Sequence, residues 1–155
     1  GLPAVILRNG WYSENYLMGA PAALEHGVML GCAGEGKIAS AARMDFAEAA
    51  AAVLTQPNQA GKVYELAGDQ AYSLAQFAGY LSEVGNKPVV YNNLSEADYK
   101  AALEQFGLPA PLAGMLADSE TGASVGGLYS DSKQLSELIG RPTTLIKQSI
   151  QALFK

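Results

Sequence analysis

The chain is 155 residues long and 49% hydrophobic, with ten Lys and Arg against fifteen Asp and Glu for a formal net charge of -5. That length and apolar content predict a globular domain with a sizeable core and exclude a disordered chain. The basic residues are scattered rather than clustered, so there is no positive face for a phosphate backbone or an anionic lipid surface; neither nucleic acid nor membrane is expected as a partner.

A single cysteine, Cys32, excludes an internal disulfide, and a single histidine, His26, leaves no Cys/His set with metal-ligand spacing. No apolar run approaches the roughly 18 to 20 residues needed to span a bilayer. The N-terminus lacks the basic region and apolar core of a signal peptide. A cytoplasmic, metal-free protein is expected.

In chain order, Ala4-Val5-Ile6-Leu7 is an uninterrupted apolar run of the kind found in parallel strands buried on both faces. Such a strand needs neighbours, and nothing before residue 4 supplies one, which implies the C-terminal part of a larger α/β protein. After the loop from Asn9 to Tyr12, Ser13 is a predicted N-cap and Glu14 suits the first turn of a helix running to about Glu25, kinked or split at Pro21 and stopped at Gly27. Val28 to Leu30 reads as a short strand, and Lys37 to Ser40 as a second one in a hairpin-like excursion across the glycines at 31, 34 and 36. Asp45 is the expected cap of the alanine-rich helix MDFAEAAAAVLTQ.

Lys62 to Ala67 alternates apolar and polar residues and is a candidate sheet partner for AVIL. Ser73 and Gln76 form a capping box for a helix over Leu74 to Val84. Pro88 to Tyr91 reads as a strand, and Ser95 with Asp98 caps a helix ending near Gly107. A further helix is expected from Leu112, followed by a mobile Gly- and Ser-rich loop over Thr121 to Gly127. Helices over Ser132 to Ile139 and Thr144 to Phe154 are separated by Gly140-Arg141-Pro142. The pattern is α/β, with a few strands and about six helices.

Three features bear on chemistry. The glycine cluster GCAGEGK, residues 31 to 37, lacks the spacing of a phosphate loop, carries Glu35 where a phosphate would be repelled, and leads into an extended segment; a structural turn is expected. Tyr129 and Lys133 have the Tyr-x-x-x-Lys spacing of short-chain dehydrogenases, but they lie near the C-terminal end rather than upstream of the AVIL strand, and coincidence is the preferred reading. The third feature is RNGWYSENYL, residues 8 to 17. In an open α/β sheet, ligands bind beyond the carboxyl ends of the strands, where this loop is expected to sit. Gly10 permits close approach of a flat ring, Asn9 and Asn15 match a carboxamide, and Trp11 and Tyr12 offer an apolar wall, while Glu14 disfavours an anionic group. Asn, Gly and Ser also serve strand-to-helix turns structurally, so both readings stand on these residues alone.

LRNGWYSENYL, followed by APAALEHG, GKIASAARMDFAEAAAAVL, GKVYELAG, NLSEADY, GLP, MLADSETGAS and DSK at 131 to 133, resembles the C-terminal half of the NmrA-like atypical short-chain dehydrogenases, in particular their quinone-reducing bacterial members. The similarity runs in order over essentially the whole chain. It implies a Rossmann-like fold of two parts: an N-terminal half with a Gly-rich dinucleotide turn, and a smaller C-terminal portion, residues 1 to 155, on the nicotinamide and substrate side. No G-x-x-G-x-x-G follows a strand here, so the Rossmann half is absent and the pyrophosphate and adenosine contacts have no residues to carry them.

The resemblance places the nicotinamide-side loop at Asn9, Gly10, Trp11, Tyr12, Ser13 and Glu14. It makes Asn15, Arg43 and Asp45 candidates for the substrate side or for closing the cleft, Arg43 and Asp45 also for an ion pair, with capping and surface charge as the plainer reading of those two. It implies NADPH or NADH as cofactor, no metal, and direct hydride transfer to a quinone without a Tyr/Lys acid pair. The candidate proton donors are water and, by its place in the loop alone, the phenol of Tyr12. The alternative is a dinucleotide-binding redox sensor without catalysis. By themselves these residues are expected to be inactive, and the uncovered strand edge is expected to favour self-association.

Overall fold

The computed structural model of the chain describes residues 2–154. These divide into two compact units, one of residues 2–18, 39–71 and 130–154, the other of Gly19–Ile38 and Tyr72–Tyr129.

The first unit is built on two parallel strands, β1 (Ile6–Asn9) and β3 (Val63–Leu66), in the register Ile6 to Val63 through Asn9 to Leu66. Pairing of β1 with the Lys62 to Ala67 segment is as expected, but β1 lies two residues later than predicted and is not covered on both faces. The paired register begins at Ile6 opposite Val63, so Ala4 and Val5 fall before the strand although Ala4 O accepts from Gly61 N–H at 2.7 Å, while Arg8 enters the strand opposite Glu65 and pairs with it. Leu7 and Tyr64 pack against Ala41, Phe46, Ala49, Leu66 and Leu135, whereas Ile6 and Val63 on the opposite face are 53% and 46% exposed. Alternation with one covered face, rather than a doubly buried strand, is the outcome.

Helices α1 (Ser13–Leu17), α3 (Arg43–Thr55), α7 (Gln134–Ile139) and α8 (Ile146–Leu153) complete this unit. The last two begin two residues later than expected, and Gly140, in the left-handed region at φ 69°, ends α7 as its position implies. Two predicted caps are not caps. The N-cap of α1 is Tyr12, with Ser13 as its first residue, because the Ser13 hydroxyl turns inward to Ser40 at 2.9 Å. The N-cap of α3 is Ala42, and Asp45 sits buried in the first turn, since its carboxylate bonds residues near the start of α8.

The second unit holds the parallel pair β2 (Val28–Gly31) and β4 (Val90–Asn93), in the register Val28 to Val90 through Gly31 to Asn93. The hairpin expected across residues 28 to 40 does not form: β2 pairs with β4, and Ile38 makes only an isolated antiparallel bridge to Tyr72. Helix α2 (Ala20–His26) has Pro21 in its first turn and ends at Gly27 with φ 71°, so the segment after Ser13 is split rather than kinked. Helix α4 (Leu74–Gly85) carries the predicted Ser73/Gln76 capping box and buries Leu74, Phe77, Ala78 and Leu81. The Ser95 hydroxyl caps α5 (Glu96–Gln105) by accepting from Asp98 N.

The largest departure is α6 (Ala110–Ser124), which runs through most of the stretch expected to be a mobile loop. Ala113, Ala117, Glu120 and Ala123 are buried along it, and Thr121 is fixed by a 2.9 Å bond to Glu96. Packing overrides the low helix preference of Ser, Thr and Gly there. Eight helices stand among the described residues, more than the six or so expected, in part because the 13–26 segment is two helices. None is long and apolar enough to cross a membrane.

Candidate functional site

The segment after β1 leaves the carboxyl ends of two parallel strands and is laced to two other stretches of the first unit. Gly10 N–H donates to Leu66 O at 2.8 Å, Ala41 N–H to Trp11 O at 3.1 Å, Ser13 N–H to Ala41 O at 2.9 Å, and Gly68 N–H to Ala39 O at 2.9 Å. A Cβ at Gly10 would lie 2.9 Å from Leu66 O, so only glycine lets the chain pass so close to the end of β3. The segments around 9–14, 39–43 and 66–68 thus form one hydrogen-bonded layer.

Asn9 and Gly10 are exposed, and Trp11 and Tyr12 are half-buried. The Tyr12 ring packs on Phe46 with centroids 5.2 Å apart, and its hydroxyl accepts from Asn9 Nδ2 at 3.4 Å, leaving the phenolic proton free to be donated. The Trp11 indole N–H is buried without an acceptor among the described residues, the kind of orphaned donor that folded proteins rarely keep. Ser13 is buried on Ser40. Glu14 reaches across to α3, where both carboxylate oxygens accept from Arg43 N–H at 3.0 and 3.1 Å. It caps a neighbouring helix as well as occupying the first turn of its own.

Asn15 is half-buried in α1, and the Arg43 side chain is exposed. Asp45 is fully buried and forms the ion-pair alternative. Arg141 Nη2 stands 2.7 Å from its Oδ1, Thr144 N–H donates to Oδ2 at 2.7 Å, and the Thr144 hydroxyl to Oδ1 at 3.0 Å. Tyr129 to Lys133 is not helical, so the spacing does not set a phenol and an ammonium on one helical face. Lys133 Nζ instead donates to Asp69 O at 2.8 Å. Burial acts to raise the Asp69 carboxyl, but the Thr143 N–H, the Ser136 hydroxyl and Lys133 outweigh it and hold it below the ordinary range.

Sequence reasoning passed over Ser40, Gly68 and Glu120. Gly68 directly after a strand was the available signal for close backbone approach, and a Cβ there would collide with Ser40 O. Glu120 shares a face of α6 with Ala113 and Ala117, a helical spacing that aims it inward. Burial pushes its carboxyl up to about 7 against the pull of the Cys32 N–H and the Tyr99 hydroxyl. Burial, then Glu120, pushes the Tyr91 phenol up to about 12 and raises Tyr99 further still. Among the described residues no group of His, Cys, Asp and Glu has the makings of a metal site.

No protein-family model matches the chain. Quinone oxidoreductase 2 of Escherichia coli is 60% identical over 154 residues, which is 99% of this chain and 54% of that protein. The crystal structure of an NADPH-dependent quinone oxidoreductase from Escherichia coli complexed with NADPH superposes with a TM-score of 0.95 at 61% identity, over 97% of this chain and 53% of the other. Triphenylmethane reductase from Citrobacter sp., complexed with NADP(H), gives a TM-score of 0.94 at 33% identity, over 97% and 53%. The chain spans about half the length of the curated relatives it matches. By this identity and this fold the chain is a close homologue of the C-terminal half of Escherichia coli quinone oxidoreductase 2, and its structural neighbours are NmrA-like, atypical short-chain dehydrogenases.

Proposed function

We propose that this chain is the nicotinamide- and substrate-side portion of an NADPH-dependent quinone oxidoreductase. The observation that carries the reading is the 60% identity to Escherichia coli quinone oxidoreductase 2 across nearly the whole chain. The geometry of the 9–14 segment supports it: an exposed carboxamide and an exposed glycine lie together at the carboxyl ends of parallel strands.

The residues fit the nicotinamide end of the cofactor and not its phosphates. Asn9 offers a donor and an acceptor for a carboxamide, Gly10 lets a flat ring lie against the backbone, and Trp11 and Tyr12 supply apolar surface that excludes water. Ser13 and Glu14 hold the segment in place through Ser40 and Arg43 N–H. Asn15 and Arg43 are the proposed substrate-side residues, and Asp45 sets the start of α3 from within the core. When bound, reduced nicotinamide supplies the hydride. Tyr12, whose hydroxyl already accepts from Asn9, donates its proton at Oη to the quinone oxygen as charge develops there.

The strand edges support a second portion of protein. On β3 the outer edge is plugged, with Glu65 N–H donating to Gln134 Oε1 and Glu65 O accepting from Ser132 Oγ, each at 2.7 Å. The outer edge of β1 has no such plug among the described residues, and an open edge is where a further strand pairs.

The test is quinone-dependent NADPH oxidation by the complete gene product with a benzoquinone or naphthoquinone. Turnover is expected, falling roughly a hundredfold in Tyr12→Phe, and none is expected from these 155 residues alone. Dinucleotide binding without quinone-dependent consumption would instead favour a redox sensor. Undiminished turnover in Tyr12→Phe would remove the proton-donor role.

A further inference from the structure

The turn at Gly31–Gly34 in the second unit points successive backbone N–H groups at side chains. Cys32 N–H donates to Glu120 Oε2 at 2.6 Å, Ala33 N–H to the Tyr91 hydroxyl at 3.1 Å, and Gly34 N–H to Asn93 Oδ1 at 2.8 Å. The Tyr91 hydroxyl in turn donates to Asn93 Oδ1 at 2.9 Å. Of the three acceptors only Glu120 is a carboxyl group, and it lies beneath the turn. The fit is close: a Cβ at Gly31 would come within 2.6 Å of Glu120 Oε2.

Glu120 is 4% exposed. Its carboxyl accepts from the Cys32 N–H, and the other groups acting on it, the Tyr99 hydroxyl, the Ala33 N–H and the Cys32 thiol, include no cation. Facing the cluster are Tyr91 from β4, Tyr99 and Glu96 from α5, and Thr121 from α6 itself, with Glu96 Oε2 accepting from Thr121 Oγ1 at 2.9 Å. Burying a carboxylate without a counter-ion costs more than neutral donors return. The turn has free space to move into at Gly34, where nothing stands within 4 Å of the Cβ direction.

We propose that the Glu120 carboxyl is a proton-operated latch on the Gly31–Gly34 turn: un-ionised it stays buried beneath the turn, and on ionisation it draws the turn open to reach water. The two tyrosines and the thiol, all raised by burial, stay neutral while it does so. Opening lets Glu120 ionise at its ordinary value, so linkage makes opening easier as pH rises from the ordinary carboxylate range to near neutrality, and constant beyond.

Hydrogen exchange of the Cys32 and Ala33 amides, corrected for the intrinsic rate, tests this alongside a ¹³C titration of the Glu120 carboxyl. Protection is expected to fall by up to about tenfold per pH unit across that window and then level off. Glu120→Gln, which keeps the shape and cannot ionise, is expected to hold protection constant with pH. Wild-type protection that is constant or rises with pH, or a Glu120→Gln slope equal to wild type, would overturn the latch. Should Glu120→Gln fail to fold, the amides of Phe77 to Leu81 in wild-type α4 serve as the internal reference. A slope confined to Cys32 and Ala33 supports the latch, and the same slope in α4 overturns it.

Discussion

Gly10 and Leu66 meet backbone to backbone: the Gly10 N–H donates to Leu66 O at 2.8 Å, and the same oxygen stands 2.9 Å from where a Cβ at position 10 would be. Gly10→Ala therefore forces the loop away from the end of β3, at a cost of about 1 to 3 kcal/mol. Gly79 is the control, since it lies exposed in α4 and a Cβ there meets nothing. Gly79→Ala is expected to stabilise by up to about 1 kcal/mol. Urea denaturation of the two variants measures both signs.

Arg141 bonds a buried carboxylate and an exposed one, with Nη2 at 2.7 Å from both Asp45 and Glu48. Asp45→Ala strands the Thr144 N–H along with the guanidinium, and a loss of about 3 kcal/mol is expected. Glu48→Ala removes only the solvent-exposed partner, and a loss below about 1 kcal/mol is expected. Thermal unfolding of the pair checks the difference; equal losses would contradict the burial argument.

Glu120 and Asp69 pull the pH dependence of stability in opposite senses. The folded-state value for Glu120 lies above the ordinary one, at about 7, so the native state holds the extra proton between the two. Its stabilising contribution is complete below the ordinary carboxylate value and is lost as pH rises to about 7, an effect on the order of 3 kcal/mol. Asp69 is depressed, so its contribution is present above the ordinary value and is lost as pH falls through the folded one. Denaturation across pH 4 to 8 is expected to show stability declining from the ordinary carboxylate range up to about pH 7 and level beyond it. Glu120→Gln is expected to flatten that decline.

The open edge of β1, with Ile6 and Val63 exposed beside it, predicts concentration-dependent association of the 155-residue chain by itself. Sedimentation equilibrium measures it, and Ile6→Lys is expected to suppress it. A monomer at all concentrations would contradict the prediction.

Local signals made much of the fold legible. Pro21, Gly27, Gly140 and the Ser73/Gln76 box each mark an end that the structure keeps. Long-range partners were not legible. Ser13 and Asp45 carry the residue types of N-caps, but Ser40 and Thr144, 27 and 99 residues away, claim their side chains. Arg8 and Asn9 look like loop residues until Glu65 and Leu66 pair with them. Glycine and serine over Thr121 to Ser124 read as a loop because nothing local announces that Glu120 is anchored to Cys32, 88 positions earlier. Of the candidate site, the sequence indicated the 9–14 segment, while its support by residues 39–43 and 66–68 emerged only from the chain's path.

Residues 9 to 12 are proposed to border the nicotinamide ring. Intermolecular NOEs between the nicotinamide protons of bound NADPH and the complete gene product, isotope-labelled, test it most directly. Contacts to the Gly10 and Trp11 amides and the Asn9 side chain are expected. Saturable NADPH binding with nicotinamide contacts elsewhere, and none to residues 9 to 12, would contradict it.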